Sequence, residues 1–322
     1  MRLAGLVVRR LGAALLTLAA LSVLIFAATE VLPGDAVGAI AGPDATAEQR
    51  DRVRAELGLD RPAVPRYLDW AGGVLRGDLG SAYVGGRPVT EVLGDRVPAS
   101  LLLAGVVVVL LVPLAVLLGT AAGFGSAGGR AGRATDRVVS TGALTAAGIP
   151  EFVTAGLLLA VLATWLGLVP EVSIVPVGES PVDSPEVLVL PALSLLVLSS
   201  AYAVRLIRAS VADVLRMPYV EAARLGGVGG ARLAVRHVLP NALAPAVAAI
   251  MAQAGALVGG AVVVESIFNY PGVGNELRNA VATRDIPLVQ GIALVLCAVS
   301  LAALLAGDLL VRLLTPRLRS GS

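Results

Sequence analysis

Six apolar runs constrain this chain more than any other feature. They extend from about Leu11 to Leu32, Ala99 to Phe124, Val138 to Val169, Leu190 to Leu206, Leu243 to Val264 and Ile286 to Leu314. At 1.5 Å per residue each is long enough for a hydrocarbon core of roughly 30 Å. A soluble domain of this length has no need of several runs of that size. With 57% hydrophobic and 15% charged residues, the composition also belongs to the membrane class. The expected fold is an all-α membrane protein of six transmembrane helices.

The first run follows Arg9 and Arg10, the basic-then-apolar order of a secretory signal. It is longer than a signal core and passes into Glu30-Val31-Leu32-Pro33-Gly34-Asp35 without a small-residue cleavage site, so it reads as a retained span. Arginines fix the orientation. Arg130, Arg133 and Arg137 follow the second run; Arg205, Arg208, Arg216, Arg224, Arg232 and Arg236 follow the fourth; Arg312, Arg317 and Arg319 close the chain. The stretch from Glu171 to Glu186 has four carboxylates and no arginine. The positive-inside rule then places both termini in the cytoplasm.

Several chemistries are excluded. All 25 basic residues are arginine, so there is no lysine for a P-loop, a Schiff base or an amine general base. Cys297 is the single cysteine and lies in an apolar run, which rules out a disulfide framework or a thiolate cluster and suits a packing role. His237 is the single histidine, so multi-histidine metal sites are absent. A net charge of +2 and 3% aromatics give neither bulk attraction to nucleic acid nor a stacking platform for single strands.

Between the first two spans, residues 33–97 are polar and long. Thr46 with Gln49 three residues on forms a capping box for a helix running to Leu57. Tyr67, Trp70, Val74 and Leu75 recur at helical spacing, and Trp70 suits a membrane interface. The expectation is an extracytoplasmic cap resting on the membrane. Within the spans, Gly119-xxx-Gly123 and Gly255-xxx-Gly259 permit close helix contact, while Pro113 and Pro150 predict kinks. The domain reading is 1–97 for the first helix plus cap, 98–316 for a five-helix core containing the loop at about 205–241, and 317–322 for a cytoplasmic tail.

That loop, between spans four and five, is the most informative polar segment. Val211, Val214 and Leu215 carry apolar character past the arginines, and Met217-Pro218-Tyr219 leads into a short helix. Glu221 lies in its first turn, where a carboxylate favours the positive helix end. Ala222 and Ala223 leave a smooth face, Gly226 and Gly227 end the helix, and Pro240 marks the start of span five. Two readings stand: a helix covering the bilayer surface, or a docking surface for a soluble partner.

The loop resembles the EAA loop of bacterial ABC importer permeases: Glu-Ala-Ala, three residues, Gly, nine residues, Ile, any residue, Leu-Pro. Glu221, Ala222, Ala223, Gly227, Leu239 and Pro240 match, and His237 replaces the isoleucine. Other stretches are similar to the DppB/OppB permeases of dipeptide, oligopeptide and nickel importers. They include Leu57-Gly58-Leu59-Asp60-Arg61-Pro62, Tyr67-Leu68-Asp69-Trp70, Gly77-Asp78-Leu79-Gly80 and Val264-Glu265-Ser266-Ile267-Phe268. Tyr270-Pro271-Gly272-Val273-Gly274, Arg284-Asp285-Ile286-Pro287 and Asp308-Leu309-Leu310 continue the series in the same order.

The resemblance implies a type I ABC importer transmembrane domain working with a second, DppC/OppC-like permease. It further implies two cytoplasmic ATPases and an extracytoplasmic substrate-binding protein, in a bacterial inner membrane. It also implies that Tyr219, Glu221, Ala222, Ala223, Gly227, Leu239 and Pro240 seat on an ATPase, with Glu221 as charged anchor. This chain would bind no cofactor and catalyse nothing, since ATP and Mg belong to the partner ATPases.

Intramembrane acids are costly and usually face a cavity or a partner. Glu151, after Pro150, either lines the translocation path toward a cationic substrate group or pairs elsewhere. Glu265 either orders the Tyr270-Pro271-Gly272 turn or contacts substrate. Asp308 is placed to pair with Arg312, and Glu30 to reach water. A self-sufficient secondary carrier would show an inverted repeat and ion-coupling residues, of which only Glu151 qualifies. An intramembrane enzyme lacks a base at membrane depth. Dipeptides, longer peptides, nickel complexes and other small solutes all remain open as cargo.

Overall fold

A computed structural model describes residues 2–31, 36–42, 44–176, 179–243, 247 and 254–314. The described residues are overwhelmingly helical; a single antiparallel bridge joins Ser81 and Pro88. In chain order the helices are α1 (Arg2–Val31), α2 (Ala36–Ala41), α3 (Ala47–Glu56), α4 (Ala63–Leu75), α5 (Val89–Ser126) and α6 (Arg130–Gly148). They continue as α7 (Glu151–Leu158), α8 (Glu186–Val214), α9 (Pro218–Leu225), α10 (Gly230–Leu233), α11 (Ala254–Phe268), α12 (Val273–Ala282) and α13 (Ile286–Leu314). Four helices are long and apolar enough to cross a membrane, or up to six if each bent pair, α6 with α7 and α11 with α12, counts as one span.

The third apolar run is the clearest departure from a simple span. α6 stops at Gly148 and α7 leaves at 104° to it. The cause is local: a residue before proline is pushed out of the helical region, and Ile149 and Pro150 both have extended backbones. The kink expected at Pro150 is therefore a full break. Pro113, by contrast, lies inside an uninterrupted α5. α7 continues as a π-helix from Leu159 to Trp165.

The chain separates into two compact units. The first comprises the chain up to Leu101 with Pro271–Leu301. Its core gathers Ala82, Val89, Val92 and Leu93 with Val273, Ala280, Leu288 and Ile292. Gly291 permits this, because a Cβ there would lie 2.5 Å from Val89 Cγ1. Polar ties surround the core. Arg96 pairs with Glu276 at 3.0 Å, Gln290 donates to Thr29 at 2.7 Å in a buried setting, and Ser100 accepts the Val273 N–H at 2.9 Å. Asp285 caps α13 by accepting the Leu288 N–H at 3.3 Å and holds the 81–88 loop through the Val84 N–H at 3.0 Å. The capping box at Thr46 and Gln49 forms as expected.

The second unit comprises Leu102–Tyr270 and the chain from Ala302 on. Its core joins α5, α8 and the loop after α8: Leu111, Ala115, Ala203, Val204, Ile207, Val211, Val214, Leu215, Val220, Leu233, Val238 and Ala242. Gly119 and Gly123 press α5 onto α8, since a Cβ at each would lie 2.7 Å from Ile207 Cβ and 2.5 Å from Val211 Cγ1. Gly259 faces open space instead, and the surroundings of Gly255 lie outside the described residues. The close approach in α11 is made one residue on, at Gly260.

Candidate functional site

α8 ends at Val214, whose carbonyl accepts the Met217 N–H at 3.0 Å, and the chain turns sharply. Met217 is extended and Pro218 takes the first helical position, where its missing N–H costs nothing. α9 then lies against the end of α8. Val220 is its anchor, fully buried in the cluster formed by Ile207, Val211 and Val214. Ala223 is half-buried on the same side, while Glu221 and Ala222 are exposed and Leu225 is 85% exposed. The expected contact face therefore divides: Ala222 stays outside with Glu221, and Ala223 turns toward the core.

Gly226 and Gly227 close the helix as the sequence leads one to expect. The Val228 N–H reaches the Ala223 carbonyl and the Gly227 N–H the Arg224 carbonyl, both at 3.0 Å, which is a complete Schellman motif. Gly227 occupies the left-handed region at φ 80°, where a side chain is strained. Beyond it, Leu233 and Val238 are buried and return the chain to the core.

Residues 234–238 form a π-helix. Pro240 lacks the N–H that would continue α-helical bonding, and the Leu239 N–H bonds the Ala234 carbonyl five residues back. The His237 carbonyl is satisfied by side chains, at 3.0 Å from Asn241 Nδ2 and 3.4 Å from the Tyr219 hydroxyl. Tyr219 is thus partly engaged inside the loop, and Leu239 is half-buried with Pro240 exposed. Glu221, Arg216, Arg224, Arg232 and Arg236 make no ion pair among the described residues. A concavity of about 600 Å³ opens between α9 and α10, with Arg224 and the 227–230 backbone on its wall.

Behind this surface lies a pair that the sequence reading passes over. Arg208 of α8 meets Asp136 of α6 through two bonds, Nε at 2.5 Å and Nη2 at 2.8 Å, and Ser140 adds a third to the carboxylate at 3.1 Å. The sequence marks Asp136 only as the one acid among Arg130, Arg133 and Arg137; nothing local names Arg208 as its partner.

The intramembrane acids occupy different settings. Glu151 opens α7 and is half-buried, its carboxylate lying so close over Gly260 that a Cβ there would sit 2.6 Å from Oε2. Leu195 flanks the same point. Glu265 is buried, and its carbonyl accepts the Tyr270 N–H at 2.9 Å across a turn with Asn269 at φ 52°. Glu30 is exposed, as expected, and is also paired with Arg66 at 2.8 Å. Arg312, the expected partner of Asp308, has its side chain outside the described residues. No group of three His, Cys, Asp or Glu side chains able to hold a metal occurs among the described residues.

Residues 115–320 match the family described as binding-protein-dependent transport system inner membrane component, and residues 3–104 match the N-terminal region of such membrane components. The chain belongs to this family of permeases. It is 35% identical over 313 residues to the glutathione transport system permease protein GsiC of Escherichia coli (strain K12), covering 97% of this chain and 98% of that one. The GsiC proteins of Shigella dysenteriae serotype 1 and Salmonella typhi match with the same identity and coverage. The permease is a multi-pass protein of the bacterial inner membrane and a transport subunit of an ABC importer. It is not an enzyme; ATP hydrolysis resides in partner subunits, and the importer also requires a partner permease and a substrate-binding protein. The secondary-carrier and intramembrane-enzyme readings have no support beside this.

Proposed function

We propose that this permease, with a DppC/OppC-like second permease, lines the path of a peptide-like solute delivered by a binding protein, and that α9 couples that path to an ATPase. The observation that carries the coupling role is the build of α9. Val220 fixes it to the core while Glu221, Ala222 and Leu225 stand outside, among arginines left without carboxylates. Leu225, 85% exposed, beside Glu221 and Arg224 makes a mixed surface of the kind a protein partner can complement. Six spans with both termini in the cytoplasm agree with the arginine distribution and with counting each bent helix pair once.

In this reading ATP, with Mg, acts on the partner ATPases and this chain binds neither. Closure of the ATPases moves α9, α9 moves the end of α8 through Val220, and the path alternates its access. The relatives named for glutathione, a tripeptide, support peptide-like cargo. Glu151 is suited to contact a cationic group on the solute, because its carboxylate sits at a helix break among α7, α8 and α11.

The test is Glu221→Ala in the assembled importer. Expected are normal insertion, weakened ATPase co-purification and hydrolysis uncoupled from uptake. Full uptake with a normal ATPase complement would overturn the coupling role. For the path, Glu151→Gln should reduce uptake of cationic solutes more than neutral ones; unchanged cationic uptake removes that role.

A further inference from the structure

α4 packs against α1 at a depth that places it among lipid. α1 carries Arg9 and Arg10 at one end of its apolar stretch and Glu30 at the other. A core of roughly 30 Å at 1.5 Å per residue takes about 20 residues, which spans the distance from Arg10 to Glu30. Glu30 therefore marks a hydrocarbon boundary, with Phe26 about 6 Å and Ser22 about 12 Å beneath it.

α4 touches α1 at all three levels. Arg66 pairs with Glu30 at 2.8 Å, the Tyr67 and Trp70 rings lie 5.5 and 6.1 Å from the Phe26 ring, and the Tyr67 and Ser22 hydroxyls are 3.0 Å apart. A second flank of the same helix is apolar and uncovered: Val64, Leu68 and Leu75 are 69%, 62% and 89% exposed. At 3.6 residues per turn these three form one stripe, on the arc opposite Arg66 and Asp69. Asp69 is itself paired with Arg61 at 2.8 Å on the exposed side.

We propose that α4 is an interfacial helix sunk into the membrane leaflet at the Glu30 end of α1, with Val64, Leu68 and Leu75 in contact with acyl chains. Continuity decides the occupant. The contacts with Glu30, Phe26 and Ser22 set α4 beside α1 within the hydrocarbon layer, where Leu24 of α1, about 9 Å beneath Glu30, is 66% exposed. A polar arc opposite an apolar one, with an ion pair at the boundary, is the build of a helix lying in the headgroup region. α3 shows the contrast: Glu48, Arg50, Asp51, Arg52, Arg54 and Glu56 leave it no apolar stripe.

The experiment places nitroxide labels at Leu68→Cys and Leu75→Cys in a Cys297→Ser background, in the full importer reconstituted into liposomes. Accessibility to oxygen and to a water-soluble nickel chelate is measured against labels at Leu16→Cys, in the membrane, and Arg54→Cys, in water. Expected is the oxygen-favoured sign seen at Leu16, opposite to Arg54, at both α4 positions. Chelate-dominated relaxation overturns the proposal, because the face is then in water. Immobile labels shielded from both reagents also overturn it, because a protein then covers the stripe. Should a labelled variant not assemble, Trp165→Phe leaves Trp70 as the single tryptophan and α4 unaltered. Quenching by lipids brominated at shallow acyl positions is then expected, and quenching by aqueous iodide alone overturns the proposal.

Discussion

α4 and α9 are both short amphipathic helices with one face left open, and they are built in opposite senses. α4 is fastened by polar and aromatic groups, the Arg66–Glu30 pair, the Tyr67–Ser22 bond and the stack on Phe26; its open stripe of Val64, Leu68 and Leu75 is apolar, and its one exposed acid, Asp69, is paired with Arg61. α9 is fastened by a buried valine and leaves open a carboxylate, one arginine and one leucine. The polar groups of α4 are used inside the fold, while those of α9 stay available. A mixed surface with unpaired charge suits a protein that brings the complement, and a surface of aliphatic side chains alone suits lipid.

The largest effect should come from the fastening of α9. Val220→Asp would bury an unpaired charge among Ile207, Val211 and Val214, at a cost of about 3–5 kcal/mol. A lower melting temperature in detergent and loss of assembled importer should follow. Glu221→Ala, one residue on, should change stability by less than about 0.5 kcal/mol, because the side chain is exposed and unpaired among the described residues. Yet it should lower ATPase affinity about tenfold or more in a pull-down. Equal stability losses in the two variants would erase the distinction between anchor and open face.

Next in size is the bond that holds the end of α8, and so the base of α9. Arg208→Ala leaves Asp136 with Ser140 as its remaining side-chain partner, and should cost about 1–3 kcal/mol in a melt. Adding Asp136→Leu should recover part of that loss, since replacing both partners removes the stranded charge. Full stability in Arg208→Ala alone would show that this ion pair does not brace α8. Much of the fold was legible because apolar length, arginine placement, capping boxes and glycine turns are local signals. Thr46 with Gln49, Gly227, and Gly119 with Gly123 all behave as their local sequence predicts. Asp136 with Arg208 was not legible, because the two are 72 residues apart and only packing brings them together. The different settings of Ala222 and Ala223 were not legible for a related reason: two adjacent alanines look alike until Val220 decides which side of α9 faces in.

The glycines of the membrane core give a comparably sized but more selective test. Gly123→Ala should cost about 1–3 kcal/mol, because the added carbon meets Val211 at 2.5 Å and the Arg208 carbonyl at 3.1 Å. Gly259→Ala meets nothing within 4 Å and should leave the melting temperature unchanged or raise it by the helix propensity of alanine, up to about 1 kcal/mol. Since Val211 also seats Val220, Gly123→Ala should weaken ATPase recruitment as well as stability, while α4 stays where it is.

The smallest effect separates the two helices most directly. Each has a tyrosine bonded back to its support, Tyr67 to Ser22 at 3.0 Å and Tyr219 to the His237 carbonyl at 3.4 Å. Tyr67→Phe should cost about 1 kcal/mol, the net value of one partly buried hydrogen bond. Tyr219→Phe should cost less, since its bond is longer and its side chain is 40% exposed. The consequences should then diverge from these energies. If acyl chains hold the open stripe of α4, losing the Tyr67 hydroxyl leaves labels at Leu68 as oxygen-accessible as before, because the membrane keeps the helix in place. On the coupling proposal α9 gains its second support from an ATPase, so Tyr219→Phe should loosen it measurably in the isolated permease, as faster hydrogen exchange over residues 218–225, and not in the assembled importer. A label at Leu68 that moves into water on Tyr67→Phe would mean that α4 depends on its protein contacts alone.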